Sequence, residues 1–160
     1  MIHLNDATNE NERRVLQLMR AMETGDLPAT LRAICTEDFC WTNSGLADIR
    51  GLAELEAHMA KGGFASQIAV IREMTHFSAE LIHMASRGDV VFTERVDHHW
   101  SEDGRDLMTP HICGIAELRE GRISAFRDFY DVACYQQVPT PVQPGFSLPE
   151  FRAAQAAGDA

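Results

Sequence analysis

Three ionisable residues, Arg95, Asp97 and Asp128, sit in two segments that are otherwise rich in apolar and aromatic residues, VVFTERVDHHW (90–100) and ISAFRDFYD (123–131). Valine, threonine, phenylalanine and tryptophan favour a pleated backbone. Alternation along the first segment puts Thr93, Arg95, Asp97 and His99 on one face and Phe92, Glu94, Val96 and His98 on the other. In the second segment Phe126, Asp128 and Tyr130 share a face. An arginine and an aspartate on one strand face have two readings. Exposed, they form a surface ion pair worth under about 1 kcal/mol. Enclosed, they can do chemistry, and a second acid set between aromatics in a neighbouring strand favours that reading. The five N–H donors of Arg95 lie in a fixed fork that can bridge two carboxylates. Two acids around one cation leave a negative charge in excess, so in an apolar site one acid can keep its proton. A carboxylic acid that donates and a carboxylate that accepts are the two halves of general acid–base catalysis. A third segment, FCWTNSG (39–45), places Trp41 and Asn43 on one face. Asn43 offers an amide donor and an acceptor, which taken alone reads as a structural hydrogen-bond hub.

Positioning such residues requires a fold that brings distant strands together. Val15, Leu18, Met19 and Met22 fall at the spacing of an amphipathic helix closed by Gly25. Asp26 is placed to cap a second helix, with Pro28 in its first turn and Leu27, Leu31 and Ile34 on its inner face. DFCWTN reads as a short strand and SGLADIRG as a loop. Leu52, Leu55 and Met59 then line a third helix ended by Gly62 and Gly63. Strand-like runs follow at 68–76, 79–86, 89–100, 106–118 and 122–131, the later ones separated by the turn signals SRGD, SEDG and REGR. Helices first and an antiparallel meander afterwards predict an α+β domain, helices packed on one face of a curved sheet, with a cone-shaped space between them. One domain over 1–138 is expected, then a Pro-rich arm over 139–160 ending in a short helix.

Simple pairing through SEDG and REGR sets Asp97 opposite Met108 and Asp128 opposite Cys113. That five-residue offset is roughly 16 Å on a flat sheet. The two acids can meet around one arginine only if the sheet curves strongly or the register slips. Pro110 cannot donate to a ladder, so a distortion close to Thr109 and Pro110 is predicted.

A formal net charge of −10 disfavours nucleic acid and anionic membrane surfaces as partners. The polar N-terminus reads as lacking a signal peptide, and no apolar run reaches the about 18 residues of a membrane span, so a cytoplasmic protein is expected. Cys35, Cys40, Cys113 and Cys134 show no CxxC spacing and read as buried free thiols. The seven histidines show no metal-ligand spacing. His98 and His99 point to opposite faces, and no metal or cofactor is expected. His111 reads as a locally bonded strand residue, and the methionines as core and pocket wall. Asp103 and Asp106 read as turn residues, and Glu94 as solvated or paired across strands.

TERVD, a later aromatic-Arg-Asp-aromatic-aromatic-Asp run and an early aromatic-x-Asn together resemble the limonene-1,2-epoxide hydrolase family. That family lies within the NTF2-like, SnoaL-like and ketosteroid isomerase-like group of cone-shaped α+β folds. The match spans roughly residues 10 to 135. The resemblance implies hydrolysis of a small epoxide by direct water attack, without a covalent intermediate. Asp97 would be the general acid, Asp128 the base, Arg95 the bridge between them, and Asn43 a holder of the water. Trp41, Phe126, Tyr130 and His99 would face the substrate. It also implies a homodimer. Two positions depart from the family pattern: Trp41 stands where the family has a tyrosine, and Phe126 where it has a tryptophan. His99 adds a polar group to a wall expected to be apolar. A polyketide cyclase or ketosteroid isomerase of the same fold, or a non-catalytic binding module, is the alternative.

Overall fold

The computed structural model describes residues 1–157. Helix α1 spans Glu10–Thr24, capped by Asn9, whose side chain accepts a 3.0 Å bond from Glu12 N, and ended by Gly25 in the left-handed region. Of its predicted stripe Val15, Leu18 and Met19 are fully buried, with Leu16 beside them, and Met22 is partly buried against the same core. Helix α2 spans Leu27–Ile34; Asp26 stands at its N-cap but makes no capping bond. Strand β1 (Cys35–Asn43), strand β2 (Ile49–Arg50) and helix α3 (Leu52–Ala60) follow. The predicted loop SGLADIRG thus contains a two-residue strand, because Ile49 and Arg50 pair with Trp41 and Cys40 and bury the isoleucine.

Strands β3 (Met74–Arg87), β4 (Val90–Ser101), β5 (His111–Arg119) and β6 (Arg122–Phe129) complete one six-stranded sheet in the order β2-β1-β6-β5-β4-β3. The runs predicted at 68–76 and 79–86 are not two strands. Residues 74–86 belong to the single strand β3, and Ala69–Ile71 forms a short 3₁₀ turn. Ile68 and Ile71 bury against Leu107 and Met108 in a small second core, so their apolarity serves side-chain packing rather than a ladder. All neighbours in the sheet are antiparallel except β1 and β6, which are parallel. That pair sets Trp41 beside Phe126 and Asn43 beside Asp128. Register shifts interrupt the β1–β6, β3–β4 and β5–β6 ladders. Such bulges bend a strand and tighten its twist, which curves the sheet around α1. The result is the expected α+β cone.

The distortion expected near Pro110 is present. Val96 pairs with His111, yet Trp100 bridges Asp106, so the stretch between carries one extra residue. Residues 107–110 leave the ladder, and Pro110 contributes only its carbonyl, which accepts from Asp97 N at 3.1 Å. The predicted strand at 106–118 is therefore shortened to β5.

After β6 the chain makes a 3₁₀ turn at Val132–Gln136 and an extended arm, then helix α4 (Leu148–Ala157). Residues 158–160 of the arm lie outside the described residues. The arm packs on its own chain. Thr140 exchanges two hydrogen bonds with Asp106, and Phe146 and Phe151 pack on His76 and Trp100. None of its described residues lines the cavity between sheet and helices that Arg95, Asp97 and Asp128 face. Among the cysteines only Cys35 is fully buried, and burial pushes its thiol up to about 12; Cys113 is exposed and the other two are half-buried. The expectation of four buried thiols therefore holds for one, since outward-facing strand positions such as 113 are open. No helix among the described residues is long and apolar enough to cross a membrane.

Glu23 ties α1 to the sheet. Its buried carboxylate accepts from Ala79 N at 2.9 Å and Ile2 N at 3.1 Å, and pairs with Arg20 at 3.0 Å. Glu23→Ala strands these donors and is expected to cost about 3 kcal/mol in urea denaturation. A loss under about 1 kcal/mol would show that water replaces the carboxylate freely.

Candidate active site

The inward residues of β1, β6, β5 and β4 face a cavity of about 390 Å³ between sheet and helices. Its walls are mainly apolar and include Leu27, Phe64, Met74, Phe77, Met108 and Ile112. Into it face Trp41, Asn43, Arg95, Asp97, His99, Asp128 and Tyr130. Of the predicted site residues only Phe126 does not line it. Phe126 lies fully buried behind the wall, with the Arg95 guanidinium 5.4 Å from its ring centre and Trp41 edge-on at 5.8 Å. It positions rather than touches whatever enters.

Arg95 is completely buried and holds both acids. Its Nε donates to Asp97 Oδ1 at 2.8 Å, and Nη2 lies 3.3 Å from Asp97 Oδ2 and 2.8 Å from Asp128 Oδ2. Nη1 reaches Thr93 Oγ1 at 3.5 Å. Cation–π attraction to Phe126 adds to this. The long offset between the acids is spanned by the arginine itself. Arg95 pairs with Ile112, two residues from Gly114, and Gly114 pairs with Asp128 on the next strand. The guanidinium crosses above Gly114, where a Cβ would stand 2.5 Å from Thr93 Oγ1 and 2.6 Å from Arg95 Nη1. Gly114 is thus a functional position that the sequence reading passed over. Its signal was a lone glycine inside the strand-like run HICGIAELR, which marks close approach of another group.

Burial pushes the Asp128 carboxyl above its ordinary range, Arg95 draws it back, and the charge of Asp97 adds to the rise. For Arg95, burial favours loss of the proton, but Asp128 and Asp97 more than reverse this and hold it charged. Two carboxylates on one guanidinium leave one excess negative charge in a dry site, which favours retention of a single proton by the set.

Asp128 Oδ1 and Trp41 Nε1 are both buried away from solvent without a close hydrogen bond, yet the indole N–H stands near enough to act on the Asp128 carboxyl and lower its pKa. The indole is fixed by edge contacts with Phe39, Phe64 and Phe126. Asn43 stands beside Asp128, its Oδ1 3.4 Å from the Tyr130 hydroxyl. Tyr130 is bonded in turn to the Tyr135 hydroxyl at 2.8 Å, and Tyr135 donates to Ser44 O at 2.6 Å. Tyr135 was not marked in the sequence, where a lone tyrosine past the last strand carries no spacing signal.

His99 donates from Nδ1 to the Met108 carbonyl at 2.8 Å. Asp106, read from sequence as a turn residue, is buried; it accepts from His99 N at 3.2 Å and lies 2.6 Å from His98 Nδ1. On the outer face Glu94 pairs across strands with His83 and His111, each at 2.8 Å.

A family model for the limonene-1,2-epoxide hydrolase catalytic domain matches residues 9–138. Among solved structures, an LEH-like epoxide hydrolase of M. tuberculosis is 24% identical with a TM-score of 0.63, over 79% of this chain and 86% of that one. A SnoaL-like polyketide cyclase from Jannaschia sp. CCS1 is 14% identical with a TM-score of 0.62, over 79% and 89%. An NTF2-like protein from Cytophaga hutchinsonii ATCC 33406 is 16% identical with a TM-score of 0.59, over 79% and 95%. At these identities the structural likeness is one of fold.

Because a methyl group at position 114 would occupy the guanidinium's path, Gly114→Ala is expected to cost about 1–3 kcal/mol in urea denaturation through overpacking. A variant as stable as the wild type would show that Arg95 has room to spare.

Proposed function

The chain belongs to the limonene-1,2-epoxide hydrolase family, and from that premise we propose that it hydrolyses a small, mostly apolar epoxide to a vicinal diol by direct attack of water. The observation that carries this reading is one buried guanidinium held by two carboxylates at the wall of a mainly apolar cavity.

The Asp128 carboxylate accepts a proton from a water held at the cavity wall, with the Asn43 amide alongside. The resulting hydroxide forms a bond to one epoxide carbon while the C–O bond breaks. The departing oxygen takes the proton of Asp97, and the diol forms. The proton gained by Asp128 returns to Asp97, which restores the set. Arg95 keeps both carboxyl groups in place and balances charge as the proton changes sides. Each acid–base contribution is worth on the order of 10²–10⁴, and a fixed water in a dry cavity adds an orientational advantage. The steps balance with water alone and call on no cofactor.

Tryptophan in place of the family tyrosine changes the water's partners. An indole N–H donates but cannot accept. Asp128 is then the principal acceptor for the water; burial favours its protonated form, so it acts as a strengthened base in the state where the set's proton lies on Asp97. A cyclase or isomerase of this fold would move a proton at carbon with one acid and leave the arginine structural. An arginine tied to both acids favours the hydrolase, and an open cavity disfavours a purely structural module. The outer sheet face exposes Phe92 and Phe129, with Ile115 and Cys113 between them. This apolar patch supports a homodimer, and a monomeric mass in sedimentation would remove that part of the proposal.

Turnover of a cyclic epoxide in heavy-oxygen water is expected to give diol with one solvent oxygen from the first turnover, because no carboxylate oxygen enters the product. Asp128→Asn should lower kcat by on the order of 10²–10⁴. The base works ionised, so a raised pKa moves the acid limb upward: kcat should fall with decreasing pH at an inflection above the ordinary aspartate value of about 3.9. No diol from a broad epoxide panel, or full activity in the variant, would overturn the proposal.

A further inference from the structure

Resting on that hydrolase reading, we propose that His99 is a specificity-determining residue, and that the preferred substrate is an epoxide carrying a hydrogen-bond donor, a hydroxyl or an amide N–H, on the part of its skeleton that faces His99.

The geometry fixes the tautomer. A carbonyl oxygen only accepts, so the 2.8 Å contact with Met108 O puts the proton of the neutral ring on Nδ1. Nε2 is then a lone-pair acceptor, and it has no hydrogen-bond partner among the described residues. The ring cannot swing away. Phe77 packs edge-on at 5.5 Å, the Met108 carbonyl holds one nitrogen, and Asp106 pins the backbone N–H at 3.2 Å. Charged and titratable neighbours are Asp97, Asp106 and His98. The acids favour protonation, but burial prevails and pushes the imidazole below its ordinary value, which keeps it neutral near pH 7.

An acceptor fixed among Phe77, Met74 and Met108 is costly if a guest brings only hydrocarbon to it. It is matched by a guest with an O–H or N–H at that point. Sites built to bond a substrate hydroxyl discriminate strongly against the analogue that lacks it. His99 and Asp97 are two residues apart on one strand face, roughly 7 Å. A donor across a six-membered ring from the oxirane spans about this distance. A purely structural role for His99 accounts for Nδ1 and leaves Nε2 unexplained.

The test uses two cyclohexene epoxides, one with a hydroxymethyl group across the ring and one with an ethyl group of the same shape. It also uses the corresponding pair in which the oxirane oxygen is replaced by methylene and no hydrolysis can occur. Calorimetry of the inert pair with the wild-type protein is expected to show at least about tenfold tighter binding of the hydroxymethyl compound. His99→Phe should bring the two affinities together, while His99→Gln, which retains an acceptor, should keep part of the preference. Equal wild-type affinities, binding of neither compound, or a preference that survives His99→Phe overturns the inference; the wild-type comparison decides even if a variant fails to fold. Turnover of the reactive pair reports separately. If the binding preference is present but neither epoxide is hydrolysed, the hydrolase reading fails and the donor site stands.

Discussion

A guanidinium removed from water loses far more hydration than any one partner restores, so a fully buried arginine dictates what surrounds it. Here Arg95 lies at the centre of the cone, and two carboxylates, a hydroxyl and an aromatic face meet it. Each partner comes from a defined place in the sheet: Thr93 and Asp97 from the same strand, Asp128 and Phe126 from the strand two places away. The intervening strand has to be bare at the crossing point, and Gly114 makes it so. The excess negative charge of this set is also what makes it reactive, since it favours keeping one proton that two carboxyl groups around one guanidinium can share.

The same strand shows how strongly environment decides the worth of a charge. Glu94 is next to Arg95 in sequence and also holds two short hydrogen bonds, to His83 and His111. It lies on the outer face, where these partners are exposed and solvent screens them. One residue of alternation separates a water-shared cluster from a dry acid–base set. The aromatic residues follow the same division: Trp41 lines the cavity with Phe126 packed behind it, and Phe92 and Phe129 stand on the outside.

His99 and the arm past β6 are linked through Asp106. That buried acid fixes the backbone of His99 and exchanges hydrogen bonds with Thr140. The loop that carries Met108 and Pro110 is therefore braced from the arm side, while its inner surface shapes the cavity. Bracing of this kind keeps a strand interruption rigid, which a fixed donor–acceptor geometry needs.

Local pattern determined a good deal. Period-two alternation in 90–100 and 123–131 assigned Glu94, Arg95, Asp97 and Asp128 to their observed faces, because side-chain direction in a strand follows the backbone alone. The stripe of α1, the third helix and the strand-breaking role of Pro110 were legible for the same kind of reason: each is a property of a short stretch. The parallel pairing that sets Asn43 beside Asp128 was not, because the partners are more than 80 residues apart and no local signal encodes their neighbourhood. Nor was the division of 68–86 into a 3₁₀ turn and one long strand, where Ile68 and Ile71 are as apolar as strand residues but bury against a distant loop. The meeting of Asp128 with Trp41 and Arg95, the tautomer of His99 and the passage over Gly114 belong to the tertiary structure alone. Each depends on which atoms of remote segments come within about 3 Å, a distance that bulges and sheet curvature set and residue types do not.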